Sequence, residues 1–375
     1  MIVSTNFEQL GTAAVTPALT DPASLVRFCD AVLPTLRLDD GMYCFDRTWA
    51  DPALRGRSPR YTLMVALGLA RAEAAGYDLA VSATELADLV FSDPAPQTPG
   101  DRGLLLWLLS RLGDDRAGAL VTELEGVATD QLVPLEGMEI GWLVTGAACA
   151  VGAGLVAEKL LDTMLGQLWS RQAFASPLFH HQGTGRGRAL LPNFATQIYS
   201  VLALAEVARA TGDARAVTAA TSLADLLLER RGADAGWPWL FHAERATVVE
   251  RYQIYSVHQD AMAPMAYFAL SEVTGDPRHA TAGAEGLPWC FGHNEMEFSF
   301  YDGPNRFAHR AIKRQGAADR GGLWANTGLA LAGVRRRADM GSVEVNDTCR
   351  PYHLGWIIEA WAGREQHIEL LGRTS

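Results

Sequence analysis

Two stretches share an opening and a close: QIYSVLALAEVARATGD at 197–213 and QIYSVHQDAMAPMAYFALSEVTGD at 253–276. Each ends in Thr-Gly-Asp and then begins an Ala-rich helical segment, so the tripeptide reads as a minimal turn between two helices. Two aligned copies at a period of roughly 60 residues mark a repeating α-hairpin. About six or seven such pairs fit the chain length.

Working outward, apolar residues recur at helical spacing along most of the chain. Helices are expected at 21–36, capped by Asp21 or Ser24, and at 60–75, 83–90, 102–112, 115–127, 139–152 and 154–171. Further helices are expected at 193–211, 214–230, 259–273, 278–286, 322–336 and 352–363, with a short basic one at 305–315. There is almost no strand signal. The expected fold is all-α, one domain over 1–375, with α-hairpins closed into an (α/α)6-like toroid. The connections argue for closure rather than an open solenoid. One kind is short. The other is long and chemically loaded, at 39–49, 131–139, 179–197, 236–260, 290–302 and 344–353. Each of these precedes the first helix of a hairpin, so in a toroid all would meet at one mouth.

The richest of these stretches is GWPWLFHAERATVVERYQIYSVHQDAMAP, at 236–264. Aromatic faces beside charged and amide groups suit polyhydroxylated ligands, because the C–H face of a sugar packs on a ring while its hydroxyls take hydrogen bonds. Trp237, Trp239 and Tyr255 are the expected stacking platforms; each could equally pack its loop onto the domain.

Composition narrows the function classes. The 375 residues are 49% hydrophobic and 20% charged, which is globular, and the net charge of −11 argues against a nucleic-acid partner. The N-terminus lacks the basic and apolar regions of a signal peptide. The best apolar run, GWLVTGAACAVGAGLVA, is short and is bracketed by Glu139 and Glu158. A soluble, cytoplasmic protein without a membrane span is expected. The five cysteines are odd in number and widely spread, which reads as reduced core thiols. Oligomeric state is not legible.

With the hairpin rhythm and loaded loops in hand, the chain resembles the (α/α)6-toroid class of six-hairpin glycosidases, polysaccharide lyases and uronyl epimerases, and more distantly the terpenoid-cyclase toroids. It is also similar to bacterial proteins linked to exopolysaccharide gene clusters, through FATQIY (194–199), IYSVHQDAMAPMA (254–266), HNEM (293–296) and RPYHLGW (350–356). The resemblance implies an enzyme acting on an oligo- or polysaccharide, by glycoside hydrolysis or by uronate elimination or epimerisation, with no cofactor. Two other readings stay open: a terpenoid-cyclase-like enzyme on a polyprenyl substrate, and a non-catalytic glycan-binding factor in exopolysaccharide assembly.

Candidate catalytic groups follow from this. Asp260 and Glu139 each stand at the start of an apolar helix, where an acid is either a cap or a cavity acid. Facing one another at about 6.5–9.5 Å they would be the acid and base of an inverting hydrolase. Glu295, among aromatics, is the third acid; its bland reading is an ion pair with Arg306 or Arg310. His258 and Tyr255, with Tyr252, Tyr352 and His353, suit proton abstraction beside a uronate carboxylate, which Arg251 or Arg350, or else Arg186 or Arg188, would neutralise. Asn193, Gln197, Gln259, His293 and Asn294 are expected to hold hydroxyls. GTGRGR, 183–188, lacks the Lys-Ser/Thr and the preceding strand of a phosphate loop. Cys290, His293, Cys349 and His353 form two Cys–His pairs faintly like the zinc loops of lanthionine cyclases, but buried free thiols are the expected account and no metal is assigned. The aspartates of LDDG (38–41) and GDDR (113–116) match neither usual cyclase motif.

Overall fold

The computed structural model describes residues 21–364, 366 and 367, apart from 96, 184–186, 317–320, 322, 323, 330, 331, 333 and 335–341. The expected helix at 322–336 falls partly outside these residues, as does Arg186.

Six helices form an inner ring: α2 (Pro59–Ala74), α4 (Pro99–Leu112), α6 (Gly137–Gly152), α8 (Phe194–Thr211), α10 (Ala263–Thr274) and α12 (Pro351–Trp361). Each packs on the next in that order, and α12 packs back on α2. The outer layer is α1 (Pro22–Val32), α3 (Ala83–Phe91), α5 (Arg116–Glu125), α7 (Glu158–Trp169), α9 (Ala214–Arg230) and α11 (Pro277–Ala284). Five hairpins are consecutive in sequence. The sixth joins the chain's ends, because α12 pairs with α1. The fold is therefore the all-α toroid expected from the repeat.

The two layers differ in how their sequences are patterned. Inner helices touch neighbours on nearly every side and are buried nearly all round; in α12 only Tyr352 is not fully buried. Outer helices carry one apolar stripe, as in α9, where Ala216, Ala220, Leu223, Ala224 and Leu227 are buried. A helix buried all round and one facing water differ in just this way.

The Thr-Gly-Asp corners explain themselves. Gly212 and Gly275 end α8 and α10 in the left-handed region, at φ of 72° and 70°, which Gly adopts without strain. Asp213 and Asp276 then cap α9 and α11, accepting from Arg215 N at 2.8 Å and Arg278 N at 3.0 Å. Asp21 caps α1 in the same way, accepting from Ala23 N at 3.0 Å.

The strand expectation needs correction. Short antiparallel ribbons lie in the long connections: β1 (Arg47–Thr48), β2 (Leu240–His242), β3 (Thr247–Glu250), β4 (Ile254–Tyr255), β5 (Tyr301–Asp302), β6 (Phe307–Ala308), β7 (Ala311–Arg314), β8 (Val343–Asn346) and β9 (Thr348–Cys349). The basic helix expected at 305–315 is instead β6 and β7. The backbone of β7 is taken by β4, with Ile254 opposite Ile312 and Tyr255 opposite Ala311, and by β8 on its other edge. Pairing across such sequence distances leaves no local helical or strand period to read.

Glycines let the inner helices approach closely. A Cβ on Gly68 of α2 would stand 2.2 Å from the carbonyl oxygen of Gly355 in α12, and one on Gly355 would stand 2.6 Å from that of Met64. Between α4 and α6, a Cβ on Gly146 would stand 2.4 Å from the Gly103 carbonyl oxygen. Backbone cannot move aside as a side-chain tip can. Gly355→Ala is therefore expected to destabilise the protein by about 1–3 kcal/mol through overpacking. The same change at exposed Gly76, whose surroundings are open, serves as a comparison for local φ strain. Thermal unfolding followed by circular dichroism measures both.

Candidate functional site

Because the inner helices run parallel, their N-termini share one end of the ring. A cavity of about 420 Å³ opens there. The inner helices line it in pairs spaced three or four residues apart, which share a helix face. These are Tyr61 and Met64 of α2, Met138 and Trp142 of α6, Ala195 and Tyr199 of α8, and His258 and Met262 ahead of α10. Asn193, Trp239 and Tyr255, and Phe45, Arg350 and Tyr352, reach it from the loops. Five of the six loaded stretches thus converge on one mouth. The sixth, 290–302, packs behind it.

Three guanidinium groups line the cavity: Arg60, Arg310 and Arg350. Arg60 lies 5.1 Å from the Trp142 ring and binds Asp101 at 2.5 Å and Glu139 at 2.9 Å. Arg350 lies 4.2 Å from the Phe45 ring and donates to the Tyr61 hydroxyl at 2.8 Å. Its nearest carboxylate, that of Asp46, is 3.9 Å away. Arg310 sits 5.1 Å from the Tyr255 ring. No carboxylate pairs with Arg310 among the described residues. Among the described residues no Asp or Glu lines this cavity. Arginine stays charged at any working pH; Arg60 is offset by its two carboxylates, so Arg310 and Arg350 give the wall its positive sign, and the helix N-termini around it add to that sign.

His258 opens a five-residue π-helical turn, His258–Met262, that leads into α10. Such turns are often found at functional sites. The ring packs 4.7 Å from that of Phe194 and 5.0 Å from that of Tyr255. Its Nδ1 is buried without a hydrogen-bond partner. Burial, with Arg310 and His353 adding repulsion, pulls its pKa down to about 3, so the imidazole is neutral. Burial also raises the pKa of Tyr61, Tyr199 and Tyr352, which keeps those phenols protonated.

The structure places the expected acids elsewhere. Asp260 is wholly buried on the face of the turn opposite to His258. Its carboxyl group meets His353 Nε2 at 2.9 Å, the Tyr301 hydroxyl at 2.8 Å and Cys290 Sγ at 3.3 Å. Residues two apart on a helix do not share a face, which is why His258 and Asp260 separate. Glu139 is held by Arg60, by Thr98 Oγ1 at 3.0 Å and by the Glu136 N–H at 3.1 Å, against the backbone of α4. It fixes a cavity arginine without entering the cavity. Glu295 accepts from the Tyr252 hydroxyl at 2.9 Å, and burial raises its pKa. It lies away from this cavity and from the Arg306 and Arg310 partners considered for it.

Of the expected binding residues, Asn193, Trp239, Arg350 and Tyr352 line the cavity, with Tyr255 and His258. Trp237 is core, stacked 5.2 Å from Phe194 and 5.7 Å from Tyr267. Gln197 brackets Phe179, taking its N–H at 2.9 Å and giving to its carbonyl at 2.7 Å. Gln259 ties the Trp237 N–H to the Tyr255 carbonyl. Arg251 pairs with Asp234, and Asn294 organises its own loop by donating to the Trp289 and Phe298 carbonyls. His293 is exposed, and His353 is spent on Asp260. Arg60 and Arg310 were missed, since neither stands near the aromatic cluster in sequence. Among the described residues, no three His, Cys, Asp or Glu side chains are grouped to hold a metal, and no helix is long and apolar enough to cross a membrane.

The state of His258 has a consequence in acid. The folded pKa lies below the ordinary 6.5, so the unfolded chain takes up a proton that the folded chain refuses. The stability is present above pH 6.5 and is lost as pH falls towards 3. His309, pulled down to about 4 by burial, acts in the same sense. Melting temperature is expected to drop from pH 6.5 to 4, less steeply in His258→Gln; an unchanged slope in that variant would contradict this account.

No protein-family model and no curated protein matches the chain. Its structure is similar to that of an unsaturated glucuronyl hydrolase specific for heparin, at 14% identity over 94% of this chain and 98% of that one, with a TM-score of 0.58. It is similar to a sugar epimerase from a ruminal bacterium, at 11% identity over 91% and 96%, with a TM-score of 0.59. It is also similar to a D-mannose isomerase, at 9% identity over 96% and 99%, with a TM-score of 0.50. At such identities the likeness is one of fold, and the fold is the (α/α)6 toroid.

Proposed function

We propose that the protein is a carbohydrate-active enzyme that takes an acidic, uronate-bearing oligo- or polysaccharide and moves a proton at the carbon beside its carboxylate. One observation carries this reading: among the described residues the cavity is lined by three guanidinium groups and a neutral imidazole, and by no carboxylate. Hydrolysis by the usual pair of carboxylates needs two acids flanking the bond, and this wall has none. Arg310, which pairs with no carboxylate among the described residues, is the natural partner for the ligand's, and Arg350 of the same wall is a second donor. The named activities of two of the structural neighbours, a glucuronyl hydrolase and a sugar epimerase, support an acidic or epimerisable sugar.

In this reading the sugar packs on Trp239, Tyr61 and Tyr352. Pairing the carboxylate with Arg310 acidifies the adjacent C–H and stabilises the charge that forms when it breaks. His258, on the same wall, takes that proton. A bound anion offsets the repulsion from Arg310 and so raises the basicity of the imidazole. The electron pair left on carbon has two outcomes. It forms a double bond as the neighbouring C–O bond breaks, the leaving oxygen taking a proton from Tyr255, or it is reprotonated on the opposite face. The first is elimination and the second epimerisation. A chamber with three guanidiniums is too polar for the terpenoid alternative. The non-catalytic alternative shares the same wall and differs only in leaving the C–H intact.

Incubation of uronate oligosaccharides in D₂O, read by mass spectrometry and by ultraviolet absorbance of unsaturated product, tests the reading. Wild type is expected to exchange or eliminate, and His258→Gln to lose about 10²-fold or more. Arg310→Gln is expected to weaken uronate binding by about tenfold or more while leaving neutral oligosaccharides unaffected. Binding without exchange would leave a glycan-binding protein, and release of reducing ends without exchange would restore hydrolysis.

A further inference from the structure

The opposite end of the inner ring holds a second cavity, of about 440 Å³, among the C-terminal turns of the same six helices. That volume is within the range of small-molecule sites. It is not continuous with the first. Tyr199 belongs to the first cavity and Trp107 to the second. Between them lies the buried indole of Trp356, 6.2 Å from Tyr199 and 5.9 Å from Trp107.

Among the described residues three carboxylates line this second cavity and all are in use. Glu359 takes both terminal nitrogens of Arg111, at 2.5 and 2.9 Å. Glu272 takes Arg364 at 2.7 Å and Arg209 at 2.8 Å, and Glu206 takes Arg209 at 3.1 Å. The fourth arginine, Arg71 in the last turn of α2, is left over. Its Nε donates to the Ala362 carbonyl at 3.0 Å. Its two terminal nitrogens have no protein acceptor among the described residues. Two further polar atoms on the wall, Trp107 Nε1 and Ser110 Oγ, are also buried without a partner. Arginines at helix C-termini ordinarily serve the exposed carbonyls and the negative end of the dipole. That role accounts for the Nε of Arg71 and leaves the rest of its guanidinium unexplained.

We propose that this cavity is a second binding site, for a small molecule bearing a carboxylate or phosphate that pairs with Arg71. An oxyanion matches the planar fork of donors that Arg71 offers. The helix C-termini oppose an anion, so Arg71 itself must supply the attraction. Removing its charge should then abolish binding rather than weaken it slightly.

Calorimetric titration of the full chain with inorganic phosphate, glucuronate and glucose 6-phosphate tests this, in wild type, Arg71→Gln and Arg310→Gln. At least one probe is expected to retain a binding event in Arg310→Gln that Arg71→Gln weakens by about tenfold or more. Phosphate alone would mark an inorganic-ion site, and the sugar phosphate or glucuronate a metabolite site. Should Arg71→Gln not fold, Ala210→Leu, which fills the cavity from α8, is expected to give the same loss. The proposal is overturned if no probe binds Arg310→Gln, or if binding survives both Arg71→Gln and Ala210→Leu.

Discussion

The structure depends on the contact between Gly68 and Gly355. It is where the last inner helix meets the first, so it converts a row of hairpins into a ring. A side chain at either position would strike backbone of the other helix, and the ring would have to open or splay. Closure in turn lets α12 pair with α1, so the chain's two ends complete the sixth hairpin. It also brings Arg350 and Tyr352 beside Tyr61, nearly three hundred positions away in sequence. The cationic cavity is a by-product of that closure, because the ring gathers six helix N-termini at one end.

Within the ring, function is decided by which way a side chain faces. His258 and Asp260 are near neighbours in sequence and sit on opposite walls. One lines the cavity, its Nδ1 buried without a partner, and the other is locked by a histidine, a tyrosine and a thiol. The same division separates Met138 and Trp142, which line the cavity, from Glu139, which holds Arg60 in place. The acids of this region sit behind the wall, while the ionisable groups that line the cavity are guanidinium, phenol or imidazole.

Much of this was legible in sequence, and the remainder fails for identifiable reasons. The Thr-Gly-Asp corners encode a helix stop and a helix start in two residues, and they gave the hairpin rhythm directly. The loaded loops pointed to the end of the ring where the first cavity opens. The identical QIYSV letters, however, mislead about register. They lie 56 residues apart, whereas the Thr-Gly-Asp corners lie 63 apart. The cavity-facing pairs, Ala195 with Tyr199 and His258 with Met262, follow the 63-residue spacing. On that spacing Asp260 is the counterpart of Gln197, and both are buried scaffold. Inner helices are buried on nearly every face, so no polar stripe announces which side looks into the cavity. Arg60 was not singled out and Arg310 was read only as a partner for Glu295, because only ring closure and the β4–β7 pairing bring them to the cavity.

The indole of Trp356 has one more implication. It closes the ring's axis midway, so the first cavity is a blind pocket and not a tunnel. A polymer cannot thread through it, and whatever enters must leave by the same mouth.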